Sequence, residues 1–301
     1  MNELEKKIFE LKDTKKAIIL AHNYQLPEIQ DISDILGDSL DLSRTASKVK
    51  EDIILFCGVR FMAETAKILS PEKKVLLPVE DAGCPMADMV TADALIEFKQ
   101  ENPDYYIVSY VNTTAEVKAV SDICCTSANA VKIVKNIPAK KILFTPDKNL
   151  GEYVKSQVPE KEIKLWNGFC NVHVNINKES IEKAKKKHPD AVLLVHPEAP
   201  ADVRDIADYL MSTNQMVRFA KESDAEEFLI GTETGMIYRL QQENPDKKFY
   251  PAGNPVTCVN MKKTRLNDVY NALKYEQYEI QLSSDIIKQA KKSLELMLQY
   301  S

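Results

Sequence analysis

IQDISDILGDS (29–39), VKAVSDICCTS (117–127) and VRDIADYLMST (203–213) are three versions of one pattern. Laid over one another, they share apolar residues at Ile29, Val117 and Val203, and again at Ile32, Val120 and Ile206. They also share an aspartate (Asp34, Asp122, Asp208) and a hydroxyl (Ser39, Ser127, Thr213). The offsets are 88 and then 86 residues. The same offsets align His22, Tyr110 and His196 upstream, and bring ILFCG (54–58), ILFTP (142–146) and FLIGT (228–232) together downstream. Repeats of roughly 20 to 50 residues make solenoids, so a period this long means repeated domains.

Each copy reads as helix, strand, helix, strand, helix, strand and a cysteine loop. Charged helical patterns at 2–14, 91–102 and 178–188 open the three copies. AIILA (17–21) is a continuous apolar run, as expected of a strand covered on both faces of a parallel sheet. Ile29, Ile32 and Leu36 follow at helical spacing, and GDS (37–39) breaks that pattern to start a short helix. Strands alternating with helices imply right-handed crossovers and α/β units of three layers, α/β/α. Three pseudo-symmetric units are expected, over 1–90, 91–177 and 178–264, around a central site. After Cys258 the pattern changes to a helical segment (265–275), a strand-like EIQL (279–282) and a helix from about Asp285 capped by Ser284. This tail, 265–301, is expected to pack on the first unit.

The third strand of each copy runs into a loop that ends in cysteine: KVLLPVEDAGC (74–84), KEIKLWNGFC (161–170) and KKFYPAGNPVTC (247–258). Catalytic loops of open α/β sheets lie beyond the carboxyl ends of the strands. Cys84, Cys170 and Cys258 therefore fall at the same end of their units as His22-Asn23-Tyr24, Tyr110-Val111-Asn112 and His196-Pro197-Glu198. Buried cysteines are common in cores. A structural zinc site would be closed by four ligands with local C-x-x-C pairs, which this chain lacks. An iron–sulfur cluster held by three cysteines would leave one iron open as a Lewis acid. Cys57, Cys124 and Cys125 fall on strand and helix-end positions and read as packing residues. His173 is three residues from Cys170, but its repeat equivalents are Ala87 and Met261, so it reads as a loop histidine. Ser39, Ser127 and Thr213 sit where helices begin, and free N–H groups there favour anions.

Bulk properties narrow the class. The net charge of −5 gives no general attraction to nucleic acid or to a bilayer. No apolar run approaches the ~18 residues of a membrane span, and the amino terminus reads as a charged amphipathic helix. A cytoplasmic location is expected, where thiols stay reduced. With 8 glycines and no G-x-G-x-x-G after the first strand, a dinucleotide dehydrogenase is disfavoured.

The motifs AHNYQLPEIQDISDILGDS, FMAETAKIL, GCPMAD, YVNTTAEVK, CTSANAV, PDKNLGEYV, VHPEAP, STNQM, GTETGMI and CVNMKK, in this order, resemble the quinolinate synthase family over almost the whole chain. The resemblance implies three α/β domains around a [4Fe-4S] cluster bound by Cys84, Cys170 and Cys258. It implies condensation of iminoaspartate with dihydroxyacetone phosphate to quinolinate, with release of phosphate and water, in NAD biosynthesis. By the same resemblance His22, Ser39, Tyr110, Asn112, Ser127, His196, Glu198 and Thr213 hold the dicarboxylate. Tyr24 and Glu198 are assigned to proton transfer, with His196 tuning Glu198. A transient contact with the enzyme that makes iminoaspartate is an open expectation. The chain ends in SLELMLQYS, without the cysteine-rich segment of some longer members. The alternative is another three-lobed iron–sulfur enzyme of the terpenoid-precursor reductase or diphthamide-pathway type. The HNYQ, YVN and VHPE loops argue against it.

Overall fold

The computed structural model describes residues 2–301 as an α/β protein with three four-stranded parallel sheets. The first contains β1 (Ala17–His22), β2 (Ile35–Gly37), β3 (Ile53–Cys57) and β4 (Lys74–Leu76). The second contains β5 (Tyr106–Tyr110), β6 (Ile123–Cys125), β7 (Lys141–Thr145) and β8 (Glu162–Leu165). The third contains β9 (Val192–Val195), β10 (Tyr209–Leu210), β11 (Glu227–Gly231) and β12 (Lys248–Pro251). The spatial order is the same in all three: β2-β1-β3-β4, β6-β5-β7-β8 and β10-β9-β11-β12. The chain leaves the first strand of each sheet in one direction and returns on its other side. A crevice therefore opens at the carboxyl end of β1, β5 and β9, the usual ligand position in such sheets.

One strand per sheet corrects the expectation from sequence. Ile29, Ile32 and Leu36 do not share one helix. The helix Pro27–Asp31 ends early, and Ile35–Gly37 becomes the edge strand β2. The shared aspartate is the reason. Asp34 Oδ2 accepts from Ile19 N at 2.8 Å, Asp122 Oδ2 from Ile107 N at 2.8 Å and Asp208 Oδ2 from Leu193 N at 2.7 Å. In each case the aspartate's own N–H returns a bond to the same residue's carbonyl. This two-way stitch fastens the next residues beside the first strand, so pairing overrides the helical period. Lys12, Lys99 and Lys185 each reach the matching aspartate from the preceding helix.

Those preceding helices start on side-chain caps. Asn2 forms a capping box with Glu5, Thr91 accepts from Ala94 N, and Asn177 accepts from Ser180 N. The apolar core is partly divided. Separate clusters centre on Ile19 and Leu55, on Ile107 and Leu143, and on Leu193 and Leu229. One larger cluster takes Leu20, Val108 and Leu194 from the other faces of the same three sheets. Alternation along β1, β5 and β9 thus sends one residue outward and the next into a core common to all three lobes.

The tail is shared rather than confined to the first repeat. The helix Leu266–Tyr275 lies against the helix Glu3–Thr14 and β3. Between the tail helices, Leu77 N donates to Tyr278 O at 3.1 Å and Ile280 N to Val75 O at 2.9 Å, covering the β4 edge. The helix Ser284–Gln299, capped by Ser283 rather than Ser284, packs mainly on the helix Ala115–Val120 and on β6 of the second repeat. Ala290, Leu294 and Met297 are buried in the larger core cluster, and Ser293 Oγ donates to Lys118 O at 2.8 Å and lies 3.4 Å from Cys124 Sγ. No helix among the described residues is long and apolar enough to cross a membrane.

Candidate active site

The carboxyl ends of the three sheets face one cavity. Its walls include every residue nominated from sequence: His22, Tyr24, Ser39, Cys84, Tyr110, Asn112, Ser127, Cys170, His196, Glu198, Thr213 and Cys258. The lobes are joined there by side-chain bonds that no single repeat could make. Tyr110 Oη donates to Glu198 Oε1 at 2.5 Å, and His196 Nε2 lies 3.1 Å from Ser127 Oγ. Asn23 Nδ2 donates to Thr213 Oγ1 at 2.7 Å, and Tyr24 Oη lies 2.5 Å from Thr232 Oγ1.

The three hydroxyls do not occupy equivalent helix positions. Asp38 caps the helix Ser39–Ala46, and Ser212 caps the helix Thr213–Glu222. Ser39 and Thr213 are therefore first helical residues with no capping duty. Ser127 lies in the turn before the helix Ala130–Asn136, not at its start. Asp38 and Ser212 also meet, the serine donating to the carboxylate at 3.2 Å.

Cys84, Cys170 and Cys258 are free thiols, half-buried in the cavity wall. Burial pushes all three up, Cys84 to about 12. The backbone N–H groups two and three residues further on oppose that rise in every loop: Met86 and Ala87, Val172 and His173, Asn260 and Met261. Each sulfur thus faces a small nest of donors, an environment suited to thiolate once a cation replaces its proton. Cys57, Cys124 and Cys125 lie fully buried in strands and do not reach the cavity wall. The donor set offered to a shared soft metal centre is three sulfurs, one per lobe, with no fourth cysteine. That set fits an iron–sulfur group with one non-protein position.

His173 corrects the reading as a loop histidine. It is buried, stacks on His196 with ring centroids 4.7 Å apart, and bonds in three directions. Nδ1 is 2.9 Å from Glu198 Oε2 and 3.1 Å from Cys170 Sγ, while Nε2 is 2.8 Å from Thr232 Oγ1. Ligand atoms of Cys170, His173 and Glu198 lie within 4.8 Å of one another, a group able to hold a metal ion. Thr232 was also invisible from sequence, because its repeat equivalents, Gly58 and Pro146, carry no hydroxyl. The C-x-x-H spacing was the available signal for His173, and the repeat register concealed it.

The charge states follow from burial and partners. Burial brings His22 and His196 down to about 3, so both rings are neutral near pH 7. Burial raises Tyr24 and Tyr110 well above the ordinary phenol value, so both keep their protons. Burial also pushes Glu198 upward, but the imidazoles of His173 and His196 and the Tyr110 hydroxyl outweigh it. Its carboxyl is held well below the usual range. Glu198 is then a buried carboxylate next to Cys170, with Asp38 and Glu233 also buried in the cavity wall.

Fold and cavity define a three-lobed α/β enzyme whose lobes each contribute one thiol and one polar loop to a common centre. The family model described as quinolinate synthetase A protein matches residues 6–299. The quinolinate synthase of Caldicellulosiruptor saccharolyticus is 54% identical over 301 residues, covering 100% of this chain and 99% of that protein. Those of Thermodesulfovibrio yellowstonii and Clostridium acetobutylicum are 55% and 52% identical, covering 99% and 98% of this chain and 98% and 97% of theirs. The chain belongs to the quinolinate synthase family, enzymes of NAD biosynthesis. The reductase and diphthamide-type alternatives are not favoured.

Proposed function

We propose that the chain condenses iminoaspartate with dihydroxyacetone phosphate to quinolinate, releasing phosphate and water, with Cys84, Cys170 and Cys258 holding a [4Fe-4S] cluster. The cluster would supply a Lewis-acidic iron able to polarise a substrate hydroxyl or carboxylate. The remaining work falls to the protein. His22, Ser39, Tyr110, Asn112, Ser127, His196, Glu198 and Thr213 surround the dicarboxylate. Asn112 Oδ1 is buried without a partner, an orphaned acceptor that a bound amino or hydroxyl group would satisfy.

The observation that carries the proposal is a continuous chain, Tyr24–Thr232–His173–Glu198, ending beside Cys170 in the cavity that all three cysteines line. With the His173 tautomer set by its bonds, Nδ1–H donates to the Glu198 carboxylate and Nε2 accepts from Thr232. Thr232 Oγ1 then accepts from Tyr24. When Tyr24 passes its proton to Thr232 and Thr232 passes its own to His173 Nε2, the ring becomes imidazolium and the Tyr24 oxygen can take a proton from substrate. The reverse movement returns one to a departing hydroxyl. The carboxylate orients the ring and stabilises imidazolium, as in other hydroxyl–imidazole–carboxylate arrangements. His196 stacks on His173 and bonds Ser127, which fixes the ring from its other face. Limits of 1–90, 91–177 and 178–264 for the three units remain part of this proposal, as does a cytoplasmic location.

The test is an iron and sulfide assay with EPR on anaerobically purified protein, with and without a dicarboxylate analogue. Replacing any one of the three cysteines should remove the cluster and the quinolinate-forming activity. Iron and sulfide retained in all three variants would overturn the assignment.

A further inference from the structure

Lys262 and Glu233 have no place in the chemistry above, yet they join two of its parts. Glu233 is fully buried at the carboxyl end of the third sheet. Its Oε1 accepts from Cys258 N at 3.1 Å, and its Oε2 accepts from Gly235 N at 2.7 Å and from Lys262 Nζ at 3.0 Å. Lys262 stands one turn beyond Cys258, its own N–H bonded to the Cys258 carbonyl at 3.2 Å. The ammonium also donates to the main-chain carbonyl of Tyr24, in the first lobe.

Two neighbouring observations show that this is a built junction. A methyl group added at Gly235 would come within 2.8 Å of Glu233 Oε2 and 3.0 Å of Tyr24 O, so the glycine is what lets the groups converge. Gln30 Nε2 closes the same seam from the other side, donating to Gln25 O at 2.9 Å, Gly235 O at 3.1 Å and Asn23 O at 3.2 Å. The Asn23–Gln25 loop is therefore held through its carbonyls, while the Tyr24 side chain is left to Thr232.

We infer that Lys262, anchored by Glu233, is a positioning residue for Tyr24, tying the Cys258 loop of the third lobe to the Asn23–Gln25 loop of the first. It rests on the proposed role of Tyr24. The third cysteine and the proton-carrying phenol then share one rigid link. A shift of the Cys258 loop moves the Tyr24 backbone with it.

Lys262→Met removes both donations and keeps most of the side-chain volume. In the full chain as purified, iron content should stay at the wild-type level. Turnover should fall by roughly 10²-fold with KM unchanged, the cost of a small displacement of a reacting group. Lys262→Arg, which can still donate to both oxygens, should recover most of the rate. Amide exchange over residues 23–31 should quicken in the Met variant while exchange over 110–113 stays the same. Wild-type turnover, or lowered turnover with unaltered exchange at 23–31, would overturn the inference. Should Lys262→Met fail to fold, Gly235→Ala forces the same groups apart and should give the same pattern. Unaltered exchange at 23–31 there also overturns it. Exchange does not depend on the reaction, so the junction and the proposed activity fail separately.

Discussion

The two ends of β1, β5 and β9 behave as different kinds of structure. Near their amino ends the three repeats are the same: Asp34, Asp122 and Asp208 each bond the N–H of the residue fifteen positions earlier, and each meets a lysine from the preceding helix. At their carboxyl ends the copies diverge into His22-Asn23-Tyr24, Tyr110-Val111-Asn112 and His196-Pro197-Glu198. The amino ends solve one problem three times, fastening an edge strand to its neighbour. The carboxyl ends solve one problem once, each lobe supplying a different part. The cysteines obey both rules, being the same residue in each copy and lining the same cavity.

Breaking the comparison at its carboxyl end should give the largest effect. Glu198→Gln removes the carboxylate that Tyr110 and His173 both bond. We expect turnover to fall by roughly 10²- to 10⁴-fold, the range for losing a positioned acid–base group, with iron content and thermal midpoint close to wild type. Wild-type turnover would take Glu198 out of the chemistry. Thr232→Val cuts the chain between Tyr24 and His173 without changing side-chain shape. Here we expect a loss of about 10²-fold and an unchanged cluster spectrum. A rate within a factor of two would mean that Tyr24 exchanges protons by another route.

At the amino end the effects should be on stability. Asp122→Ala leaves Ile107 N and Lys99 without their partner. We expect a loss of about 1.5–3 kcal/mol in denaturant unfolding with turnover unchanged, the usual scale for a hydrogen bond to a charged group. An activity loss larger than the loss of folded protein would show that the edge strand reaches the site.

The smallest effect belongs to the tail. Hydrogen bonds from Lys15 and Lys74 hold Glu276 down to about 2, against an ordinary 4.5. A folded value below the unfolded one gives stability that is present in full above pH 4.5 and lost as pH falls toward about 2. Glu276→Gln should therefore lower the thermal midpoint slightly at neutral pH, and the gap to wild type should narrow below pH about 4.5. A gap that widens with acid would contradict the sign.

The layered α/β class and the three cysteine loops are legible in the sequence because a triplicated pattern reports position without any coordinates. β2, β6 and β10 are not, because a helical spacing conceals strands that form when a side-chain carboxylate pairs with a distant N–H. His173 is hidden for another reason: the register that exposes the cysteines makes a histidine present in one copy look incidental. The Ser284–Gln299 helix lies mainly on the second lobe, burying Ala290, Leu294 and Met297 and bringing Ser293 to Lys118 and Cys124, residues about 170 positions away.

What the chain determines by itself is local and periodic: which segments alternate, where helices are capped, which side chains stand at strand ends. Which lobe's carboxylate meets which lobe's phenol was decided by tertiary structure alone. Tyr110 and Glu198 are 88 residues apart and Tyr24 and Thr232 are 208 apart. Such bonds exist because three sheets share one inner core, and burial there forces each polar group to find a partner across a lobe boundary.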